Sequence, residues 1–135
     1  MSDRITPPRE ARRGSRRRRG AASAVEPAQQ AVVVDPTAPA RLALRTVDVP
    51  SPERGEALVR VKAISLNRGE INRALSAPEG TRIGWDFAGV VERAALSGAG
   101  PVEGSRVVGM LGTGAWAEVI AAPATALAVL PDAVS

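Results

Sequence analysis

Cysteine and histidine are both missing from this chain of 135 residues, and aromatic residues make up only 2% of it. Without a thiol the chain forms neither a disulfide nor a thiolate zinc site, and without an imidazole it lacks the commonest nitrogen ligand of metal ions. Because the only aromatic residues are two tryptophans and one phenylalanine, aliphatic side chains must fill the interior.

Long apolar runs are missing as well. No segment approaches the roughly 20 apolar residues that a membrane-spanning helix needs. The charged start of the chain is not followed by a hydrophobic stretch like that of a secretory signal. We therefore predict no membrane span and expect a cytoplasmic protein.

The net charge of +4 is distributed unevenly. Residues 1–20 hold eight arginines against Asp3 and Glu10, so this segment carries +6 and the remainder carries −2. The high isoelectric point thus reflects the start of the chain, and it does not indicate that the remainder binds nucleic acid.

Residues 1–30 have little to bury, and we expect a disordered basic tail there. The cluster Arg16–Arg19 has the charge to contact phosphates of nucleic acid or an anionic membrane. We favour a solvated tail, because no aromatic residue lies among the arginines to stack on bases. The alternative function is a stand-alone binding module whose tail contacts an anionic partner, and steep weakening of binding by salt would identify it.

Beyond the tail, short runs of strand-forming residues alternate with turn formers. Residues 56–66 alternate most clearly, which predicts a strand whose buried face carries Val59, Val61 and Ala63. Apolar residues at helical spacing predict one short helix over residues 67–76. The other predicted strands are residues 31–34, 41–49, 87–94, 105–111, 116–121 and 125–130. This pattern is typical of a mainly β fold, either a barrel or a sandwich.

Four segments in a fixed order resemble a known superfamily, the medium-chain dehydrogenases/reductases. They are Ala57–Glu70, Arg82–Glu92, Val107–Glu118 and Leu127–Asp132. The resemblance extends from about Ala31 to Ser135, and the zinc-free branch of quinone oxidoreductases fits best.

This resemblance implies a GroES-like, partly open β-barrel with a short helix over residues 31–135. In the superfamily a Rossmann domain that binds the nicotinamide cofactor follows, and this chain ends where that domain begins. We therefore expect a truncated, incomplete fragment that lacks the Rossmann domain and is inactive alone. The resemblance implies NADP(H) as cofactor, not bound by this chain alone, and a small quinone or carbonyl compound as substrate. A third alternative is assembly with a separately encoded Rossmann partner, which would restore activity.

Zinc-dependent relatives hold their metal with a cysteine and a histidine, and the resemblance places Asn67 and Trp85 at those positions. Only Asp86 remains of that ligand pattern, and a single carboxylate cannot hold the ion. We therefore expect no zinc, and direct hydride transfer from the cofactor to an activated alkene or quinone.

Asn67 and Asp86 are the candidate catalytic residues. Asn67 could donate a hydrogen bond to a substrate oxygen that gathers negative charge, or it could cap the predicted helix. Asp86 could act as an acid with a raised pKa if it is unpaired. We favour an ion pair for Asp86, with Arg68, Arg82 or Arg106.

Arg68 and Trp85 complete the candidate cleft. Arg68 could steer an anionic cofactor or substrate, but we favour a structural pairing with Asn72 and a nearby carboxylate. Trp85 is expected to line the substrate cleft or fill the core. The glycine-rich stretch Gly109–Gly114 lacks the third glycine of a dinucleotide fingerprint and precedes a predicted strand, so we interpret it as a tight turn. No role is carried over from the family to Glu70, which replaces an aspartate.

Overall fold

The computed structural model describes residues 27–134. Of the disordered basic tail predicted for residues 1–30, residues 1–26 lie outside the described residues, and residues 28–30 lie in the first strand instead. The described residues form seven strands and one α-helix: β1 (Ala28–Val34), β2 (Leu42–Asp48), β3 (Glu56–Ile64), α1 (Arg68–Ser76), β4 (Asp86–Arg93), β5 (Arg106–Met110), β6 (Val119–Pro123) and β7 (Leu127–Val129).

The strands form two antiparallel sheets that do not close on each other. The smaller sheet pairs β1 with β2, and the larger has the order β6-β3-β4-β5-β7. Backbone hydrogen bonds join β1 to the loops before β4 and β6, three to the first loop and two to the second, for example from Val32 N–H to the Trp116 carbonyl at 2.9 Å. The predicted mainly β, partly open architecture with one short helix is confirmed.

Strand β1 begins at Ala28, three residues earlier than the apolar pattern predicts. The reason is Gln29, whose buried side chain accepts a hydrogen bond from the Val119 N–H at 2.6 Å and donates to the Val119 carbonyl at 2.9 Å. The glutamine amide thus replaces a missing strand neighbour and takes a core position that its polarity hides from a hydropathy pattern.

Two clusters of buried side chains form the core. The first lies within the larger sheet and consists of Ala57, Val59, Phe87, Val91, Val107, Ala115, Ile120 and Ala122. The second packs α1 against β1 and consists of Val34, Ala74, Ala77, Ile83 and Trp116. The Arg41 guanidinium donates to the carbonyls of Ala74 and Ala77, each at 3.1 Å, and so caps the C-terminal end of the helix.

The predicted buried face of β3 is wrong at its far end. Val59 is fully buried and Val61 is half-buried, but Ala63 is exposed. Strand β6 pairs only with residues 56–60, and the register with β4 shifts between Val61 and Ala63. Beyond that irregularity β3 has a neighbour on one side only, so alternation in the sequence no longer corresponds to burial.

Candidate functional site

The candidate residues meet where β3 ends and β4 begins. Ile64 and Phe87 are paired across these two strands, so the residues that follow Ile64 lie beside those that precede Phe87. The Trp116 indole N–H donates to the Ser65 carbonyl at 3.2 Å, which ties the end of β3 to the second core cluster. Helix α1 starts immediately after this junction, with Asn67 as its N-cap residue.

Gly84 turns the chain into β4. Its φ of 108° lies in the left-handed region that favours glycine, and a Cβ there would approach the Trp116 backbone nitrogen to 2.5 Å. Only glycine therefore fits this turn, which delivers Trp85 and Asp86 to the end of the sheet.

Asp86 is held by two neutral donors. Its carboxylate accepts from the Ser65 hydroxyl at 2.7 Å and from the Asn67 side-chain amide at 2.8 Å, and the same amide nitrogen lies 3.0 Å from the Ser65 oxygen. These hydrogen bonds, the one from Ser65 first, lower the pKa of Asp86 below its ordinary value of 3.8, against the opposing effect of desolvation. The carboxyl group is therefore ionised at neutral pH.

This arrangement corrects two expectations for Asp86. The predicted ion pair with Arg68, Arg82 or Arg106 is wrong, since neither salt bridge within residues 27–134 involves Asp86. The pKa moves down instead of up, so Asp86 does not store a proton for transfer at neutral pH. The partners of Asp86 are the short polar side chains of Ser65 and Asn67 instead of an arginine.

Asn67 combines the capping position with a different bond from the one we expected. Its side-chain nitrogen donates to Ser65 and Asp86, so both amide protons are engaged within the protein. Donation to a substrate oxygen would require one of these bonds to break. The amide oxygen faces the backbone N–H of Glu70 in the capping box of α1, which agrees with the capping role considered for this residue.

Glu70 was given no role from the sequence, yet it is the central carboxylate of this loop. It is fully buried, and it accepts from the backbone N–H of Asn67 at 2.8 Å and from that of Trp85 at 2.7 Å. A signal was available: a glutamate three residues after an N-cap residue is the acidic half of a capping box. Nothing in the local pattern indicated the second bond, which reaches 15 residues along the chain.

Trp85 is half-buried and forms the wall of a surface groove of about 340 Å³. The other residues of the groove are Arg73, Met110, Leu111 and Gly112. The indole lies directly against Gly69, where a Cβ would come within 2.5 Å of the ring atom Cη2. Trp85 therefore lies at the edge of a cleft, which is the first of its two predicted locations, and not in the core.

The three arginines make different contacts from those predicted. Within the described part of the chain, Arg68 is exposed and forms no salt bridge and no side-chain hydrogen bond, so its predicted pairing with Asn72 is wrong. Arg82 is half-buried, which lowers the pKa of its guanidinium, and one of its terminal nitrogens lies 3.4 Å from the Gly114 carbonyl. Arg106 donates to the Val134 carbonyl at 2.5 Å.

Gly109 and Met110 belong to β5, and residues 111–118 lead to β6 without an intervening helix. The connection is thus longer than the predicted tight turn, but the stretch leads into a strand as expected. Over residues 27–134, no group of three or more aspartate or glutamate side chains is placed to hold a metal ion. The single α-helix in that range is too short and too polar to cross a membrane.

Residues 53–132 match the family model of the alcohol dehydrogenase GroES-like domain. A mouse protein described as synaptic vesicle membrane protein VAT-1 homolog-like is 32% identical over 102 residues, which are 70% of this chain and 24% of that protein. Its human counterpart is 33% identical over 94 residues, or 22% of its length. The chain thus spans about a quarter of the length of these curated relatives.

Two solved structures extend the comparison to enzymes. The quinone oxidoreductase from Thermus thermophilus, which was also solved in complex with NADPH, is 30% identical with a TM-score of 0.63, covering 78% of this chain and 34% of that one. The quinone oxidoreductase from Pseudomonas syringae pv. Tomato is 27% identical with a TM-score of 0.71, covering 79% and 35%. By the extent of the family match, this chain belongs to the alcohol dehydrogenase GroES-like domain family of the medium-chain dehydrogenase/reductase superfamily.

Proposed function

We propose that the described residues form the substrate-side domain of a zinc-independent, NADPH-dependent quinone or enone oxidoreductase. The observation that carries the proposal is the convergence of Asn67, Trp85 and Asp86 at one end of the larger sheet, beside an open groove. The similarity to two quinone oxidoreductases supports the reaction class, and the NADPH complex of one of them supports the cofactor.

The donor set supports chemistry without zinc. The Asn67 amide nitrogen carries protons and donates them to Ser65 and Asp86, and the Trp85 indole has no lone pair to offer a metal. Asp86 alone would have to bind the ion, whereas catalytic zinc has three protein ligands. We therefore assign this cluster to orientation and hydrogen bonding.

A dinucleotide does not fit the described residues on their own. The glycine-containing connection after β5, residues 111–118, leads into strand β6, whereas a pyrophosphate site needs the N-terminus of a helix after the glycine-rich turn. We propose that a Rossmann-type domain holds the cofactor against the end of the sheet that bears Asn67 and Asp86, and that residues 27–134 are inactive without it. The nicotinamide would supply the hydride.

The residues of this chain would bind and orient the substrate. The Trp85 ring and the exposed Met110 side chain offer a flat, polarisable surface to a planar quinone. Arg68 follows Asn67 directly and has no partner within residues 27–134, so we assign to it the attraction of the substrate oxygen that becomes negative. Asp86 presents a carboxylate acceptor, which suits a hydroxyl group of the cofactor or of the reduced product.

Reconstitution tests this proposal. The chain would be mixed or co-expressed with the cofactor-binding domain of a related quinone oxidoreductase, and NADPH oxidation would be followed with a naphthoquinone as acceptor. We expect turnover from the pair, none from either part alone, and a loss of about 10-fold or more when Asn67→Ala disrupts the cluster. Asn72→Ala is the matched control, because Asn72 is an exposed asparagine on the same helix.

A pair that associates, as judged by size-exclusion chromatography, but does not oxidise NADPH would contradict the reductase assignment. Equal turnover of the Asn67→Ala and Asn72→Ala variants would remove Asn67 from the site while leaving the reaction class in place.

A further inference from the structure

Glu70 joins two segments that are distant in the chain. One carboxylate oxygen accepts from the N–H of Asn67, at the start of α1, and the other accepts from the N–H of Trp85, directly before β4. The side chain is fully buried, so water does not compete for either bond. Glu70 therefore links the N-terminus of α1 to the start of β4.

Neither of these N–H groups has another partner within the described residues. Trp85 lies outside the β4–β5 ladder, which starts at Asp86, and the Asn67 N–H precedes the first turn of α1. Buried backbone donors are almost always paired, and the buried Glu70 carboxylate supplies the partner for both of these. Gly69 adds a second restraint, because its missing side chain lets the Trp85 ring lie against the helix.

We propose that Glu70 is a positioning residue: it sets Asn67 at the distance from which its amide reaches Asp86, and it fixes the orientation of Trp85 at the groove. Within the described residues, Glu70 itself forms no hydrogen bond with Asp86 and is not among the residues that line the groove. The functional meaning of this positioning depends on the proposed oxidoreductase function, but the geometry can be tested without substrate or cofactor.

The direction of change in the pKa of Asp86 separates positioning from a purely electrostatic effect. The groups that face the Asp86 carboxylate are the Ser65 hydroxyl and the Asn67 amide, and no lysine or arginine nitrogen within residues 27–134 forms an ion pair with it. Replacing Glu70 by glutamine removes a nearby negative charge, which alone would lower the pKa of Asp86. Loosening Asn67 removes a donor, which raises it.

The experiment is a carboxyl-carbon NMR titration of the full chain, comparing wild type with Glu70→Gln and Glu70→Asp. Glutamine presents an N–H₂ group to one of the two backbone donors, and aspartate keeps the charge but shortens the reach by one methylene. We expect the pKa of Asp86 to rise toward its ordinary value in both variants, and the Asn67 side-chain amide resonance to lose its response to Asp86 ionisation. Glu79→Gln, an exposed glutamate just beyond the helix, should change neither.

A folded Glu70→Gln variant in which the pKa of Asp86 falls or stays constant would overturn the proposal. Loss of the fold in both Glu70 variants would also count against it, because Glu70 would then be a general requirement for folding. The titration involves neither NADPH nor quinone, so a negative result leaves the reductase proposal intact. Failure of the reconstitution, in turn, leaves the positioning role of Glu70 intact.

Discussion

Strand β3 passes through two environments, and its two halves show how burial depends on the number of neighbouring strands. In the first half, Ala57 and Val59 are fully buried, because β4 and β6 flank the strand and the first core cluster covers it. In the second half, Ile64 is 44% exposed, although it is as apolar as Val59. The chemistry of the residues is the same, and the number of neighbouring strands differs.

The poorly covered half continues into a larger apolar surface. Leu66 is 76% exposed and Leu44, on the facing strand β2, is 65% exposed. A groove of about 280 Å³ separates β1 and β2 from this part of β3, and Trp116 forms part of its floor. The unpaired edge of β3 and the exposed leucines favour aggregation. Both lie next to the candidate site.

The largest expected effect comes from truncating the same kind of side chain in the two halves. Val59→Ala should lower the free energy of unfolding by about 2 kcal/mol, because two buried methyl groups are lost and leave a cavity. Ile64→Ala removes more atoms, yet it should cost only about 1 kcal/mol, since nearly half of the residue is already exposed to water. Urea denaturation of both variants measures the difference, and equal losses would show that β3 has one environment.

Much of this fold follows from patterns that are local in sequence. Turn formers such as Pro50-Ser51-Pro52 and the apolar runs between them place seven strands to within a few residues of their observed bounds, and the helix predicted over 67–76 begins at Arg68. The burial of Gln29 and the exposure of Ala63 could not be predicted in this way. Both depend on which strand lies alongside, and that information is long-range.

The candidate site shows the same limit. The sequence places Asn67, Trp85 and Asp86 near one another by resemblance, and the structure brings them together. It does not give the partners of Asp86: an arginine is the expected partner, whereas the structure supplies Ser65 and Asn67. Glu70 could be predicted as half of a capping box, but its bond to Trp85 requires knowledge of how α1 packs beside β4.

A smaller effect is expected in the connection between β1 and β2. Ala40 and Arg41 have φ values of 54° and 59°, and within residues 27–134 they are the only non-glycine residues with positive φ. The contacts of Arg41 with the end of α1 hold this turn in place. Ala40→Gly should therefore raise the free energy of unfolding by about 0.5–1 kcal/mol, because the relief of left-handed strain exceeds the entropy cost of glycine.

Ala43→Gly is the control for that substitution. Ala43 lies in the extended strand β2, where glycine relieves no strain, so the variant should lose about 0.5–1 kcal/mol. Thermal unfolding of the two variants would show shifts of opposite sign. Two shifts in the same direction would mean that the turn at Ala40 is not strained in solution.

The smallest expected effect is a dependence of stability on pH, and it compares the candidate site with the β1–β2 connection. Hydrogen bonds lower the pKa of Asp86, and the bonds from the Thr37 side chain and backbone lower that of Asp35. A carboxyl group whose pKa is lower in the folded chain stabilises it above the unfolded pKa, and that contribution is lost as the pH falls through the folded value. Asp86→Asn and Asp35→Asn should each reduce stability at neutral pH and bring the variant closer to wild type in acid, below the ordinary value of 3.8.

Because the two carboxyl groups have no hydrogen-bond partner in common, the reductions should add in the double variant, as measured by urea denaturation at neutral and acidic pH. A double variant that loses much more or much less than the sum would show that the β1–β2 connection and the candidate site are coupled through the core between them.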